Sequence, residues 1–171
     1  MLFRSDSAAA TLSETELALS TSGTLTVRDV DLSNTVSLST SVVSSGTTTG
    51  IGPDNAALNA MLSLSAASLA ANPSDTHNLT WTFNAGTDAF DYLAAGETLT
   101  LTYTITATDN ANASTTQNVV ITINGTNDAP TISLVTTAAV MDGDVEVSPA
   151  VVDSAAATLS ETELEIGRAH V

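Results

Sequence analysis

The chain has no cysteine. That excludes a disulfide framework, a thiolate nucleophile and a thiolate-held zinc or iron–sulfur site. It has no lysine and three arginines, Arg4, Arg28 and Arg168, against 19 Asp and Glu, for a formal net charge of -16 over 171 residues. An electropositive face for nucleic acid or anionic lipid is therefore excluded. Aromatic residues make up 4% of the chain. With 26 of the hydrophobic residues being alanine, the core must be thin. No run of apolar residues is long enough for a membrane-spanning helix, so direct membrane insertion is not expected. Met1–Ala10 (MLFRSDSAAA) lacks the apolar stretch of a secretion signal. Export is then directed from elsewhere, or the chain is a piece of something longer.

What the chain has in quantity is Thr (29) and Ser (20). Thr together with Val is a strand-forming composition rather than a helical one. Leu99, Leu101, Tyr103, Ile105 and Ala107 alternate with threonines from Thr98 to Thr106, the period of two that marks a half-buried strand. Leu79, Trp81 and Phe83 alternate in the same way, as do Val119, Ile121 and Ile123. Leu25 with Val27, Val36 with Leu38, and Ile132 with Leu134 suggest three more strands, and Leu12 to Leu19 a further edge. Turn signals at Ser22-Gly23, Ser45–Pro53, Asn84–Gly86, Ala95-Gly96, Asp109–Ser114 and Asn124-Gly125 separate these runs. Asp54 opens one short capped helix, and Thr87–Leu93 reads as a single helical turn. The fold class that follows is all-β: an antiparallel two-sheet sandwich with one or two short helical turns.

An internal repeat bears on domain organisation. Asp6–Leu17 reads DSAAATLSETEL, and Asp153–Leu164 reads the same letters 147 positions later. The expected organisation is one repeat over residues 1–130, with its first strand open to truncation, and an incomplete start of the next over 131–165. Glu165–Val171 (EIGRAHV) departs abruptly from the repeat and resembles the translation of a sequencing-adapter stretch, GAGATCGGAAGAGCACACGTC. Residues 166–171 are accordingly expected not to be biological, which removes Arg168 and His170 from any chemical argument.

The acids sit at strand ends. Asp29 and Asp31 close the Leu25–Val27 run, Asp109 closes the long threonine strand, Glu97 opens it, Asn127 and Asp128 follow Ile123, and Glu14 and Glu16 lie in the duplicated SETEL. Two carboxylates about 5 Å apart repel by roughly 3 kcal/mol at an effective dielectric near 20. With so few cationic side chains, a divalent ion is the natural compensation. Carboxylate and amide oxygens without thiolate or imidazole select Ca2+. Glu97 and Asp109 are 12 residues apart in one strand, about 40 Å at 3.3 Å per residue. They cannot share an ion, so metal is expected at both ends of the module.

Several stretches match one family. VVITINGTNDAP (Val119–Pro130), SGTLTVRDVD (Ser22–Asp31), AAGETLTLTYTITATD (Ala94–Asp109) and WTF (Trp81–Phe83) resemble the VCBS repeats of giant bacterial surface adhesins, relatives of cadherin-like and Ig-like modules. The likeness covers roughly Glu14 to Pro130. It implies a calcium-stiffened spacer in cell adhesion or biofilm, outside the cell or on its surface, whose partners are neighbouring repeats of the same chain. The resemblance further implies that Glu14 (or Glu16), Glu97, Asn127 and Asp128 serve the C-terminal joint, and Asp29, Asp31 and Asp109 the N-terminal one. Leu93–Ala95 lack the Asp of the family's LDRE-type turn, and Ala129 stands where cadherins carry a second Asn, so the ligand set is reduced.

Plainer readings stand beside these. Asp29 and Asp31 also fit a solvated turn, Asn127-Asp128 an Asx turn before Pro130, and Glu97 the opening of a strand. Asp142, Asp144 and Glu146 begin like an EF-hand loop but lack its closing Glu, and read as a solvated turn. The glycosylation triplets at Asn78, Asn112 and Asn124 arise freely in this composition. His77 lies in a polar loop with no nearby nucleophile, which makes a Ser-His-Asp triad, and an enzyme, remote. Trp81 fits a sheet core, or else a sugar-stacking platform. The alternative to a spacer is a carbohydrate- or surface-binding sandwich, with Ser45–Pro53 and Ala70–Asn78 forming a contact site for surface glycans.

Overall fold

The computed structural model describes residues 2–5, 8–15, 17–133, 141–142 and 145–146. The chain divides into two compact units, Met1–Ala129 and Pro130–Val171. In the first unit the elements are β1 (Leu2–Ser5), β2 (Ala9–Ser13), β3 (Ser20–Arg28), β4 (Thr35–Gly46), α1 (Asn55–Ala60), β5 (Leu62–Leu64), β6 (Ser68–Ala70), β7 (Leu79–Asn84), β8 (Thr98–Thr108) and β9 (Ser114–Asn124). In the second, β10 (Met141–Asp142) and β11 (Val145–Glu146) pair antiparallel. Leu134, Asp144 and the second DSAAATLSETEL copy lie outside the described residues.

The first unit is a two-sheet β-sandwich. One sheet has the order β1-β3-β7-β5 and the other β2-β9-β8-β4-β6. With β2 and β6 set aside as added edges, this is the immunoglobulin-type division of strands, first-second-fifth-fourth facing last-sixth-third. Strand periodicity explains the packing. On β8 every second residue from Leu99 to Ala107 is buried, and on β7 Leu79, Trp81 and Phe83 are buried between exposed threonines. Val119, Ile121 and Ile123 of β9 complete the inner face of the larger sheet. The Phe83 and Tyr103 rings meet across the sheets, centroids 6.3 Å apart and tilted by 60°, an edge-to-face type of arrangement. Trp81 is 0% exposed, so it is core and not a sugar platform.

Four expectations are corrected. The edge strand read at Leu12–Leu19 is Ala9–Ser13, and it pairs parallel, not antiparallel, with β9. The chain begins in one sheet and steps to the other without reversing, so its second strand runs the same way as the last. Thr87–Leu93 is not helical. Phe90 adopts φ 61° while its ring is buried, and a helix admits no such residue. Ile132 is in no strand and is fully exposed. β4 runs far beyond Leu38, to Gly46. The expected helix does form, with the Asp54 carboxylate capping the amide of Ala57, a contact worth about 1 kcal/mol.

Registers define two poles. β1 begins opposite Arg28, β8 ends and β9 begins at Thr108 and Ser114, and β4 starts nearby, with Ser37 opposite Thr108. This is the entry pole. β2 and β9 end together at Ser13 and Asn124, with Thr98 of β8 opposite Asn124. This is the exit pole.

Candidate metal centre

At the exit pole three neighbouring strands deliver the acids. The Glu14 amide donates to the Asn124 carbonyl (2.9 Å), and the Gly125 amide donates to the Glu97 carbonyl (3.0 Å). Glu14 and Glu97 therefore flank Gly125 from opposite sides. Glu14 is only 1% exposed. Its Oε1 accepts from both the amide and the hydroxyl of Thr126, each at 2.6 Å. Glu97 folds back so that Oε2 accepts the Ala94 amide (2.9 Å), closing the Ala94–Glu97 turn. A Cβ at Gly125 would overlap the carbonyl oxygens of Leu93 and Ala94, so this position holds that turn against β9 only as glycine. Asn127 and Asp128 follow, both exposed, with the Asn127 Nδ2 donating to the Asp128 carbonyl (3.3 Å).

At the entry pole Asp29 is 2% exposed. Its Oδ1 accepts the Asp31 amide at 3.2 Å and its Oδ2 the Asn34 side-chain amide at 3.5 Å, both long for bonds to a carboxylate. Asp31 is exposed. Asp109 braces the β8–β9 turn: Oδ1 accepts the amides of Ala111 (2.8 Å) and Ala113 (2.9 Å). Asn112 completes that turn at φ 65°, a conformation Asn tolerates.

The acids are thus sorted between the poles as expected, Glu14, Glu97, Asn127 and Asp128 at one and Asp29, Asp31 and Asp109 at the other. They do not converge. Among the described residues no group of three or more Asp, Glu or His comes together around one point. Glu14, Glu97 and Asp109 share one arrangement: a single carboxylate oxygen is engaged by the module's own amides or hydroxyl, and the second accepts no hydrogen bond from a described residue. Arg28, next to Asp29 in sequence, donates its Nε to the Asp75 carbonyl (2.6 Å). A buried carboxylate without a counter-charge costs several kcal/mol in desolvation. Oxygen-only donors of this kind fit calcium, which takes about six to eight oxygens, but each pole supplies only part of that number.

Sequence reasoning missed three contributors. Thr126 clamps Glu14, a pairing of residues 112 apart that no local pattern signals. Gly125 acts through the turn it admits. Asn78 copies a strand partner: its side-chain amide accepts from the Val27 amide (2.8 Å) and donates to the Val27 carbonyl (2.9 Å), fixing the Ala70–Asn78 loop beside Asp29's strand. That loop lies at the entry pole, because Ala70 pairs with Thr35 and Leu79 with Leu25. Ser45–Pro53 leaves β4 at the exit pole, where Gly46 pairs with Leu99. The two insertions sit at opposite ends and form no single site.

No protein-family model matches the chain, and no curated protein matches it. Among solved structures, the crystal structure of the periplasmic chaperone SfaE aligns with a TM-score of 0.42 and 7% identity, over 72% of this chain and 56% of the chaperone's. The alignment thus spans little more than half of the chaperone's length. Among the described residues no helix is long and apolar enough to cross a membrane.

Proposed function

We propose that this chain is a VCBS-like, cadherin-like repeat of a long secreted or cell-surface bacterial adhesin, a spacer rigidified by calcium held between neighbouring repeats. In this reading Glu14, Glu97, Asn127 and Asp128 face the following repeat, and Asp29, Asp31 and Asp109 the preceding one. Extracellular placement and a role in adhesion or biofilm belong to the same proposal. The observation that supports it best is the set of half-used carboxylates at the two poles. An ion needing more oxygens than one pole offers takes the rest from the next copy, so coordination and docking become one event. Calcium also removes the repulsion between acidic poles brought end to end.

The test is a protein of two tandem repeats studied by small-angle scattering and thermal melting. Calcium at millimolar concentration is expected to extend and stiffen it and raise its Tm, and a chelator to reverse both. An identical scattering profile with calcium and with chelator rejects the reading. The glycan-binding alternative is not favoured, since its two insertions are apart and Trp81 is core.

A further inference from the structure

The sequence holds two copies of one strand and a single copy of the strand it pairs with. DSAAATLSETEL stands at Asp6–Leu17 and again at Asp153–Leu164, whereas the β9 sequence STTQNVVITIN occurs once. The first copy supplies β2, which is held along β9 by parallel rungs from Ala9–Val120 to Ser13–Asn124. Ala8, Ala10 and Leu12 pack against the core. The ladder is closed by the Val120 amide on the Ala8 carbonyl (2.9 Å), the Glu14 amide on the Asn124 carbonyl (2.9 Å) and Glu14 Oε1 on Thr126. Every β2-side residue in this set, from Ala8 to Glu14, lies inside the duplicated letters. Ala155–Glu161 brings the same side chains in the same order.

β2 covers only part of this edge. Val120 turns its amide toward β2, and the period of two puts the Thr116 and Asn118 amides on the same side. No backbone of a described residue pairs with them there, and the Asn118 carbonyl takes the side-chain amide of its own neighbour Gln117 (3.0 Å). The path of the chain is the reason. Ahead of β2 it belongs to β1, which pairs with β3 in the other sheet, so β2 does not continue toward Ser114. A strand that arrives without β1 is free of this limit. In the register of β2, Val151 and Val152 just ahead of the second copy fall beside Thr115 and Thr116, and valine is a strand former.

We propose that β9 is a strand-exchange site, at which the second DSAAATLSETEL copy of one molecule displaces β2 of another and pairs parallel with its β9. Sequence identity selects the occupant. Each bond and apolar contact of β2 is re-formed by the same letters, and pairing along Ser114–Val119 is added. Net charge does not oppose the exchange at the site, since Asp153, Glu161 and Glu163 replace Asp6, Glu14 and Glu16 one for one. The remaining parts of the two molecules stay apart: residues 125–152 reach up to about 3.4 Å each, and repulsion is screened beyond about 8 Å at physiological ionic strength. What opposes exchange is the tether, which holds the resident strand at an effective concentration of about millimolar order. At protein concentrations of that order a strand from another molecule competes on equal terms, and at lower ones wherever the resident strand is weakened. Donor and acceptor surfaces differ, so the contact is heterologous and continues from molecule to molecule. It depends neither on calcium nor on the adhesin reading.

The full chain is examined by sedimentation equilibrium at near-physiological salt, with chelator present, as wild type, Glu14→Ala and Glu14→Ala/Glu161→Ala. Glu14→Ala weakens only the resident strand and leaves Glu161 to clamp Thr126 of another molecule. It is expected to associate at a concentration about thirtyfold below the wild type, and the double variant to return to the wild-type range. A change that gains association, and a second that removes the gain, separates exchange from the sticking of a poorly folded chain. A readout free of variants uses the wild type with a synthetic peptide of residues 149–164. At millimolar peptide the Thr116 and Asn118 amides are expected to gain protection from hydrogen exchange, while a scrambled peptide leaves them unchanged. A Glu14→Ala chain that stays monomeric into the millimolar range, a double variant that associates as strongly as Glu14→Ala, or no added protection at Thr116 and Asn118 would each overturn the proposal.

Discussion

Glu14 and Thr126 are tied together at both donors of the threonine, amide and hydroxyl, through one carboxylate oxygen at 2.6 Å. The contact staples the end of β2 to the segment leaving β9. Its two charge-assisted bonds are part-buried, joining a buried Glu14 to an exposed Thr126, and such bonds are worth about 1.5–3 kcal/mol each before desolvation is counted. Glu14→Ala is expected to lower stability by about 2–3 kcal/mol with or without calcium. Glu14→Gln keeps an acceptor oxygen and is expected to lose less in chelator, while forfeiting most of any calcium-dependent gain in Tm. Thermal melts of both variants in calcium and in chelator separate the brace from the ligand.

Asp29 gives the opposite pattern. Its carboxylate is buried with two long hydrogen bonds, and the adjacent Arg28 turns its Nε to the Asp75 carbonyl. Asp29→Asn removes the charge and keeps the shape, so in chelator it is expected to be neutral or stabilising by about 1 kcal/mol. In calcium the variant is expected to lose the ion-dependent increment. A large loss of stability in chelator would mean that the charge is already compensated within the module.

Gly125→Ala is expected to cost about 2–3 kcal/mol, in the range of overpacking, because the added methyl meets backbone carbonyls that cannot rotate away. Denaturant titration measures it. Gly52, where an added Cβ meets nothing within 4 Å, is the matched control and is expected to be near neutral.

Stability should fall in alkali. Burial pushes the Tyr103 phenol above its ordinary value of 10.0. Tyr92 is also raised, by burial first and then by the carboxylates of Asp88 and Glu97. Above about pH 10 the unfolded chain releases these protons and the folded one keeps them, so the stability present below that pH is lost as pH rises toward the folded values. Tyr103→Phe should make this decline shallower. It also removes the hydroxyl's bond to the Leu58 carbonyl (2.8 Å), costing about 1 kcal/mol at neutral pH. Equilibrium unfolding between pH 8 and pH 11 checks both effects.

What was legible in the sequence was whatever a local pattern carries. β8 announces itself by eleven residues of strict alternation, and α1 by its Asp54 cap. The second half of β4 does not, because Ser39–Ser45 is a row of small, mostly polar residues whose inner members, Thr40, Val42 and Ser44, barely differ from the outer ones. Thr87–Leu93 misleads because nothing local reveals that Phe90 must turn into the core at positive φ. The sorting of acids between poles was readable, since strand ends are readable. The burial of Glu14 and Asp29 was not, because it depends on Thr126 and Asn34 arriving from outside the strands concerned. The joining of three or more acids at one point was expected within each pole and is absent from the described residues.

The parallel pairing of β2 with β9 has a mechanical consequence. β1 and β2 both run from the entry pole toward the exit pole, and the last strand leaves there. Tension applied between the two ends slides β2 lengthwise along β9 and loads all the rungs from Ala9–Val120 to Ser13–Asn124 together. A pull along this axis meets shear resistance, where a hairpin at the same place would peel open one bond at a time.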